Sequence, residues 1–182
     1  MNQPTGIRRV VTTHAADGRS IVAFDSEIGP YAHEPLKTSG VRQFVLWLTD
    51  ETPADVSGAV DVAQRKVSIP PPQNGSIFRI VEFPPTPPEV DKLPLDHMEK
   101  ILGDAHIHSK FPSRHPFMHR TATLDYIIVM YGEIDLLLDD SEVHLKAGDV
   151  LIQRSTNHSW VNRSKDVCRL GIVLLESSAE DQ

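Results

Sequence analysis

The stretch TATLDYIIVMYGEIDLLLDDSEVHLKAGDVLIQRSTNHSWVNRSKDVCRLGIVLLE, residues 121–176, decides the fold. Six short β-prone runs follow one another in it: LDYIIVMY, IDLLL, EVHL, VLIQ, HSWVN and CRLGIVLLE. Turn-forming residues separate several of them, at Gly132-Glu133, Asp139-Asp140-Ser141 and Lys146-Ala147-Gly148-Asp149. Short strands at close spacing, with no helical period between them, specify an antiparallel sandwich or barrel rather than a βαβ protein.

Upstream of this block the sequence is less regular. Leu95, Met98, Ile101 and Leu102 recur at helical spacing and Gly103 stands where a helix would stop, which predicts one short helix over Leu95–Leu102. Before it, PPTPPEV carries four prolines in five residues. Proline lacks the N–H that a sheet interior needs, so this segment reads as an extended connector. Further back, IRRVVTTH, RSIVAF, VRQFVLWLTD and SIFRIVEF read as strands, the first two joined by the turn-like AADG. Residues 50–73, rich in proline and poor in apolar side chains, read as loop. Four strand candidates make a poor core alone. Residues 1–85 are therefore expected to form an N-terminal β extension packing on the barrel or on a partner subunit, and residues 86–182 the barrel.

Composition sets the class. The chain has 182 residues, 40% hydrophobic and 24% charged, which is globular. The net charge is −7 and the basic residues are scattered, which argues against a nucleic-acid partner. No apolar run approaches the roughly 20 residues of a membrane span, and the N-terminus lacks an apolar leader core. The single cysteine, Cys168, lies in an apolar run and reads as a buried small hydrophobe. Together these features lead to the expectation of a cytoplasmic protein with no membrane partner.

The chemistry concentrates at two points. His119, Thr121, Thr123 and Asp125 are spaced two apart, so on a strand they share one face. An inward carboxylate among LDYIIV requires pairing, hydrogen bonding or a cation. His158, Trp160 and Asn162 share a face of a later strand. Two imidazoles and a carboxylate converging from two strands suit iron, manganese, zinc, nickel or copper.

The same residues carry a family resemblance. His119-Arg120-Thr121, three residues, Asp125, six residues, Gly132 resembles the first cupin motif, H-x-H, three or four residues, Glu, six residues, Gly. Gly148, four residues, Gln153-Arg154-Ser155, two residues, His158, three residues, Asn162 resembles the second, in which Pro-x-Gly precedes the histidine. The match spans about a quarter of the chain. It implies an all-β double-stranded β-helix, a cupin or jelly-roll barrel, with one divalent metal ion held by His119, Asp125 and His158. The sequence departs from the pattern in three ways. Thr121 replaces a histidine, Asp125 is one methylene shorter than glutamate, and Gln153 and Ser155 replace the Pro and Gly.

Other candidates are weighed against plainer roles. Thr121, Gln153 and Trp160 are candidate substrate-pocket residues, Trp160 being equally suited to core filling. His106, His108 and His115 read as loop histidines, with His115 the candidate general base and all three open as extra ligands. Tyr126 and Arg120 have the opposite parity to Asp125 and read as packing or interface residues. Arg154 reads as an exposed strand-end arginine able to meet a substrate carboxylate. His144 reads as a surface residue. A fold does not give a function. The resemblance implies a metal-dependent enzyme on a small organic substrate bearing a carbonyl or carboxylate, possibly aromatic in body, with oxygenase or lyase/isomerase chemistry. The alternatives are a non-catalytic small-ligand-binding barrel and a structural barrel for dimerisation. A homodimer is expected, because exposed strand edges invite pairing.

Overall fold

A computed structural model of the chain describes residues 6–31, 39–58 and 60–178. Among the described residues, ten strands, one short α-helix and three short 3-10 turns make up the regular structure. The six runs that opened the sequence reading are strands β5 (Thr123–Tyr131), β6 (Glu133–Leu137), β7 (Glu142–Lys146), β8 (Val150–Arg154), β9 (Ser159–Val161) and β10 (Cys168–Glu176). Upstream lie β1 (Ile7–His14), β2 (Ser20–Ile28), β3 (Arg42–Thr49) and β4 (Ser76–Phe83), and the helix α1 (His97–Leu102). The helix thus begins two residues later than its apolar spacing suggested. Among the described residues no helix is long and apolar enough to cross a membrane.

All strand pairings are antiparallel. One sheet has the order β3-β4-β10-β5-β8 and a second the order β7-β6-β9, with β1 and β2 forming a separate hairpin. The architecture is all-β, a double-stranded β-helix of two facing sheets. β3 and β4 extend the larger sheet, β4 lying in register along β10 from Phe83 opposite Cys168 to Ser76 opposite Leu175. The hairpin is tied down by Arg9, which donates to the Leu46 carbonyl at 3.0 Å and to Asp61 at 2.8 and 2.5 Å.

The core fills the space between the sheets. Val81, Ile127, Val129, Ile134, Leu136 and Leu170 are all buried there. Alternation on β5 decides which residues enter it: Thr123, Asp125, Ile127 and Val129 are buried, while Tyr126, Ile128 and Met130 are exposed. Cys168 is fully buried, as its apolar run implied, and burial pushes its thiol up to about 12. Gly132 joins β5 to β6 at φ 75°, and a Cβ there would stand 2.6 Å from the Val167 carbonyl oxygen, so both conformation and space require glycine.

Candidate functional site

A cavity of about 130 Å³ is lined by residues of β3, β4, β5, β8, β9 and β10. His119 reaches it from the segment before β5, Asp125 and Ile127 from β5, Gln153 from β8, His158 from just before β9, and Trp160 from β9. Thr121 and His115 also line it. His119, Asp125, His158, Thr121, Gln153, Trp160 and His115 therefore border one space, whereas His106, His108 and Arg154 do not line it.

His119 and His158 are joined by an isolated antiparallel bridge. His119 N donates to the His158 carbonyl at 2.8 Å, and His158 N donates to the His119 carbonyl at 3.0 Å. Their ring centroids are 4.2 Å apart. Each ring turns Nδ1 toward the carbonyl of the residue two positions earlier, Phe117 for His119 at 2.9 Å and Thr156 for His158 at 3.0 Å. A carbonyl only accepts, so Nδ1 carries the proton and Nε2 keeps its lone pair. Burial keeps both rings neutral, lowering His119 to about 4 and His158 well below the ordinary histidine value.

Asp125 is buried in the same space. Burial raises its carboxyl to about 6, against the opposing pull of the Thr123 and Gln153 side chains and the Arg79 charge. Gln153 Nε2 donates to Asp125 Oδ2 at 2.9 Å and stands 3.1 Å from His158 Nε2. Asp125 Oδ1 and Gln153 Oε1 are buried without a hydrogen-bond partner. Two neutral imidazoles and a carboxylate with a vacant oxygen are a donor set for a divalent first-row ion, and a backbone carbonyl behind each imidazole is the usual orienting contact. The Gln153 amide now occupies the place between two of these donors, and the donor atoms of His119, Asp125 and His158 do not all lie within 4.8 Å of one another.

Among the described residues, the group that does meet this distance is Glu99, His106 and His108, which could hold a metal ion. His108 Nδ1 is 3.2 Å from Glu99 Oε1, and the two imidazole rings meet edge to face at 5.4 Å. His106 and His108 lie on a loop, as their sequence context suggested, and Ile107 N donates to the Arg120 carbonyl at 3.0 Å, which holds that loop beside His119. Glu99, on α1, was not among the sequence candidates. Its helical position gave no sign that the H-x-H loop folds back on it.

The remaining candidates take definite places. His115 is buried rather than on a surface loop, because its Nδ1 accepts from Phe117 N–H at 3.2 Å and lies 2.8 Å from the Ser159 hydroxyl. Nε2 therefore carries the proton, and it has no partner. His115 thus offers the cavity an N–H donor. Arg120 is buried too, its Nε donating to the Ser155 carbonyl at 2.7 Å. Arg154 is exposed at the end of β8. His144 is exposed and meets Asp135 at 2.8 Å. Ser155, at the position of the family's glycine, has φ 49°. Its hydroxyl donates to the Thr121 carbonyl at 2.7 Å and its N–H to the Thr123 carbonyl at 2.9 Å, so the left-handed backbone is held from both sides.

Sequence reasoning missed Arg79, which lines the cavity from β4. The signal was present: Ile77, Arg79, Val81 and Phe83 alternate along SIFRIVEF and share a face.

No family model matches the chain. Curated relatives do. The chain is 30% identical over 163 residues to the cupin-domain-containing oxidoreductase virC of Hypocrea virens, covering 86% of this chain and 69% of that protein. It is 34% identical over 177 residues to the phomopsin biosynthesis cluster protein C' of Diaporthe leptostromiformis, covering 93% of this chain and 78% of that protein. Among solved structures, the cupin domain of Schizosaccharomyces pombe Cnp3 aligns with 94% of this chain and 90% of its own, at 10% identity and a TM-score of 0.46.

Proposed function

This chain belongs to the cupin-domain family, and from that premise we propose that it is a metal-dependent enzyme acting on a small organic molecule inside the barrel. His119, Asp125 and His158 would hold one divalent ion, iron, manganese, zinc, nickel or copper. Such an ion supplies dioxygen activation if it is redox-active, or Lewis-acid polarisation of a carbonyl if it is not. The observation that carries this reading is the pair of neutral imidazoles, each with Nδ1 committed to a backbone carbonyl and Nε2 left as a lone pair beside a buried carboxylate. The relative named as an oxidoreductase favours oxidoreductase chemistry over lyase or isomerase chemistry.

The other residues have roles that follow from their contacts. Trp160, Phe83, Ile127 and Ile172 give the cavity apolar walls, which exclude water and take the body of the substrate. His115 offers an N–H donor to a substrate oxygen rather than a base, because its Nδ1 lone pair is already engaged. Thr121, whose hydroxyl lies 3.0 Å from that of Thr123, borders the cavity where the family's second histidine stands.

A binding module without turnover is the competing reading, and it is favoured by the Gln153 amide that already joins Asp125 to His158. Oxygen uptake separates the two. The purified protein, loaded in turn with iron, manganese, nickel, copper and zinc, is given a panel of aromatic and keto acids while dioxygen and products are followed. Metal-dependent oxygen consumption supports the oxidoreductase. Product without oxygen consumption moves the reaction to lyase or isomerase. Saturable binding with no product under any metal supports the binding module.

A further inference from the structure

We propose that Arg79 receives the anionic head of the ligand, so that the cavity selects small carboxylates with an apolar body. The inference rests on the reading of the cavity as the ligand site.

Arg79 is 4% exposed and lies on β4 opposite Ile172 of β10 and Val45 of β3. Its Nη1 donates to Gln43 Oε1 at 3.0 Å, and its Nη2 donates to the Ile69 carbonyl at 2.7 Å and the Ser68 carbonyl at 3.4 Å. All three acceptors are neutral, and Nε is buried with no acceptor. Three other arginines packed against the fold are neutralised by carboxylates. Arg9 pairs with Asp61, and Arg42 and Arg169 share the buried Glu82. Among the described residues Arg79 has no carboxylate within ion-pair distance.

A buried guanidinium without a counter-charge is costly to keep, and its neutral acceptors fix its orientation without discharging it. Burial lowers Arg79 only to about 10, so it stays a cation at neutral pH. The largest charge effect on it comes from Asp125, felt through space. Once Asp125 is committed to a divalent ion, the cavity holds an unopposed cation beside aromatic and aliphatic walls. A carboxylate is the group that a guanidinium recognises best, through paired charge-assisted hydrogen bonds.

The test is isothermal titration of the protein with benzoate and with its neutral isostere benzamide, as purified and again after chelation. Wild type should bind benzoate saturably at one site, and benzamide at least about tenfold more weakly. Arg79→Met should weaken benzoate by on the order of 10- to 100-fold and leave benzamide unchanged, with Arg79→Lys between the two. Equal affinity for benzoate and benzamide, binding of neither, or wild-type benzoate affinity in Arg79→Met would overturn the assignment. If Arg79→Met does not fold, the wild-type comparison and Arg79→Lys decide. Benzoate binding that vanishes on chelation yet survives Arg79→Met places the carboxylate on the metal, which sinks this inference and spares the enzyme reading. Arg79-dependent binding in a protein that takes up no metal does the reverse.

Discussion

His119 and His158 face each other as near mirror images: each exchanges backbone hydrogen bonds with the other, and each turns Nδ1 to the carbonyl two residues before it. The arrangement fixes both tautomers with main-chain atoms, which no side-chain substitution nearby can remove. It leaves Asp125 as the donor whose protonation responds to pH in the range where proteins are handled.

A pH dependence follows with a definite sign. A ligand carboxylate must lose its proton to bind a metal. Asp125 stands at about 6 and His119 at about 4, so proton competition begins with Asp125. Zinc affinity measured by competition with a chromophoric chelator should be flat above about pH 7 and fall below about 6. The stability of the metal-free protein runs the other way. The folded carboxyl is raised above its unfolded value, so its contribution is fully present below about pH 4 and is lost as pH rises through about 6. Raising the carboxyl from its ordinary value to about 6 corresponds to about 3 kcal/mol. Urea melts should show metal-free Asp125→Asn gaining up to about that much over wild type at pH 8 and little at pH 4. A wild-type profile without this loss would mean that the carboxyl is not desolvated.

At the proposed barrel site Gln153 would compete with a metal for Asp125 Oδ2 and His158 Nε2, between which its amide now lies. Gln153→Glu replaces the competing amide N–H with a fourth donor, the second anionic one, and should tighten zinc on the order of tenfold at pH 8. Gln153→Leu removes the competitor but leaves Asp125 without its donor, and its metal-free form should lose about 1–3 kcal/mol in urea melts at the same pH. Weaker zinc binding in Gln153→Glu would show that the amide supports the ion instead of excluding it.

Ser155 tests the backbone strain at the second motif. At φ 49° its Cβ is disfavoured by about 1–2 kcal/mol, while its hydroxyl bond to the Thr121 carbonyl returns part of that. Ser155→Gly should therefore change stability by less than about 1 kcal/mol. Ser155→Val keeps the strain, adds a branched Cβ and loses the bond, and should cost at least about 2 kcal/mol. Thermal melts of the two variants read the difference directly.

Much of the site was legible because parity on a strand is a strict rule. Once LDYIIVMY is a strand, Asp125 must face the side opposite Tyr126, and it does. The two motifs then place His119 and His158 at facing positions. What stayed hidden depends on contacts between distant segments. His115 reads as a loop histidine until Ser159, 44 residues later, meets its ring. Glu99 joins His106 and His108 only because the chain after α1 turns back on the helix. The course of β3 and β4 along β10 is likewise a matter of sheet order, which local patterns do not encode. Arg79 was readable by the same parity that revealed Asp125, but a single arginine on an otherwise apolar face is easily assigned to the surface.

The most direct measurement is the metal content of the purified protein, by elemental mass spectrometry after growth in metal-supplemented medium, across two pairs of substitutions. The barrel site predicts about one ion per chain in wild type, its loss in His119→Ala and in His158→Ala, and its retention in the double variant His106→Ala/His108→Ala. Loss of the ion in that double variant with retention in His158→Ala would contradict the account and move the metal to the Glu99 cluster. A wild-type protein that takes up no ion would contradict it outright.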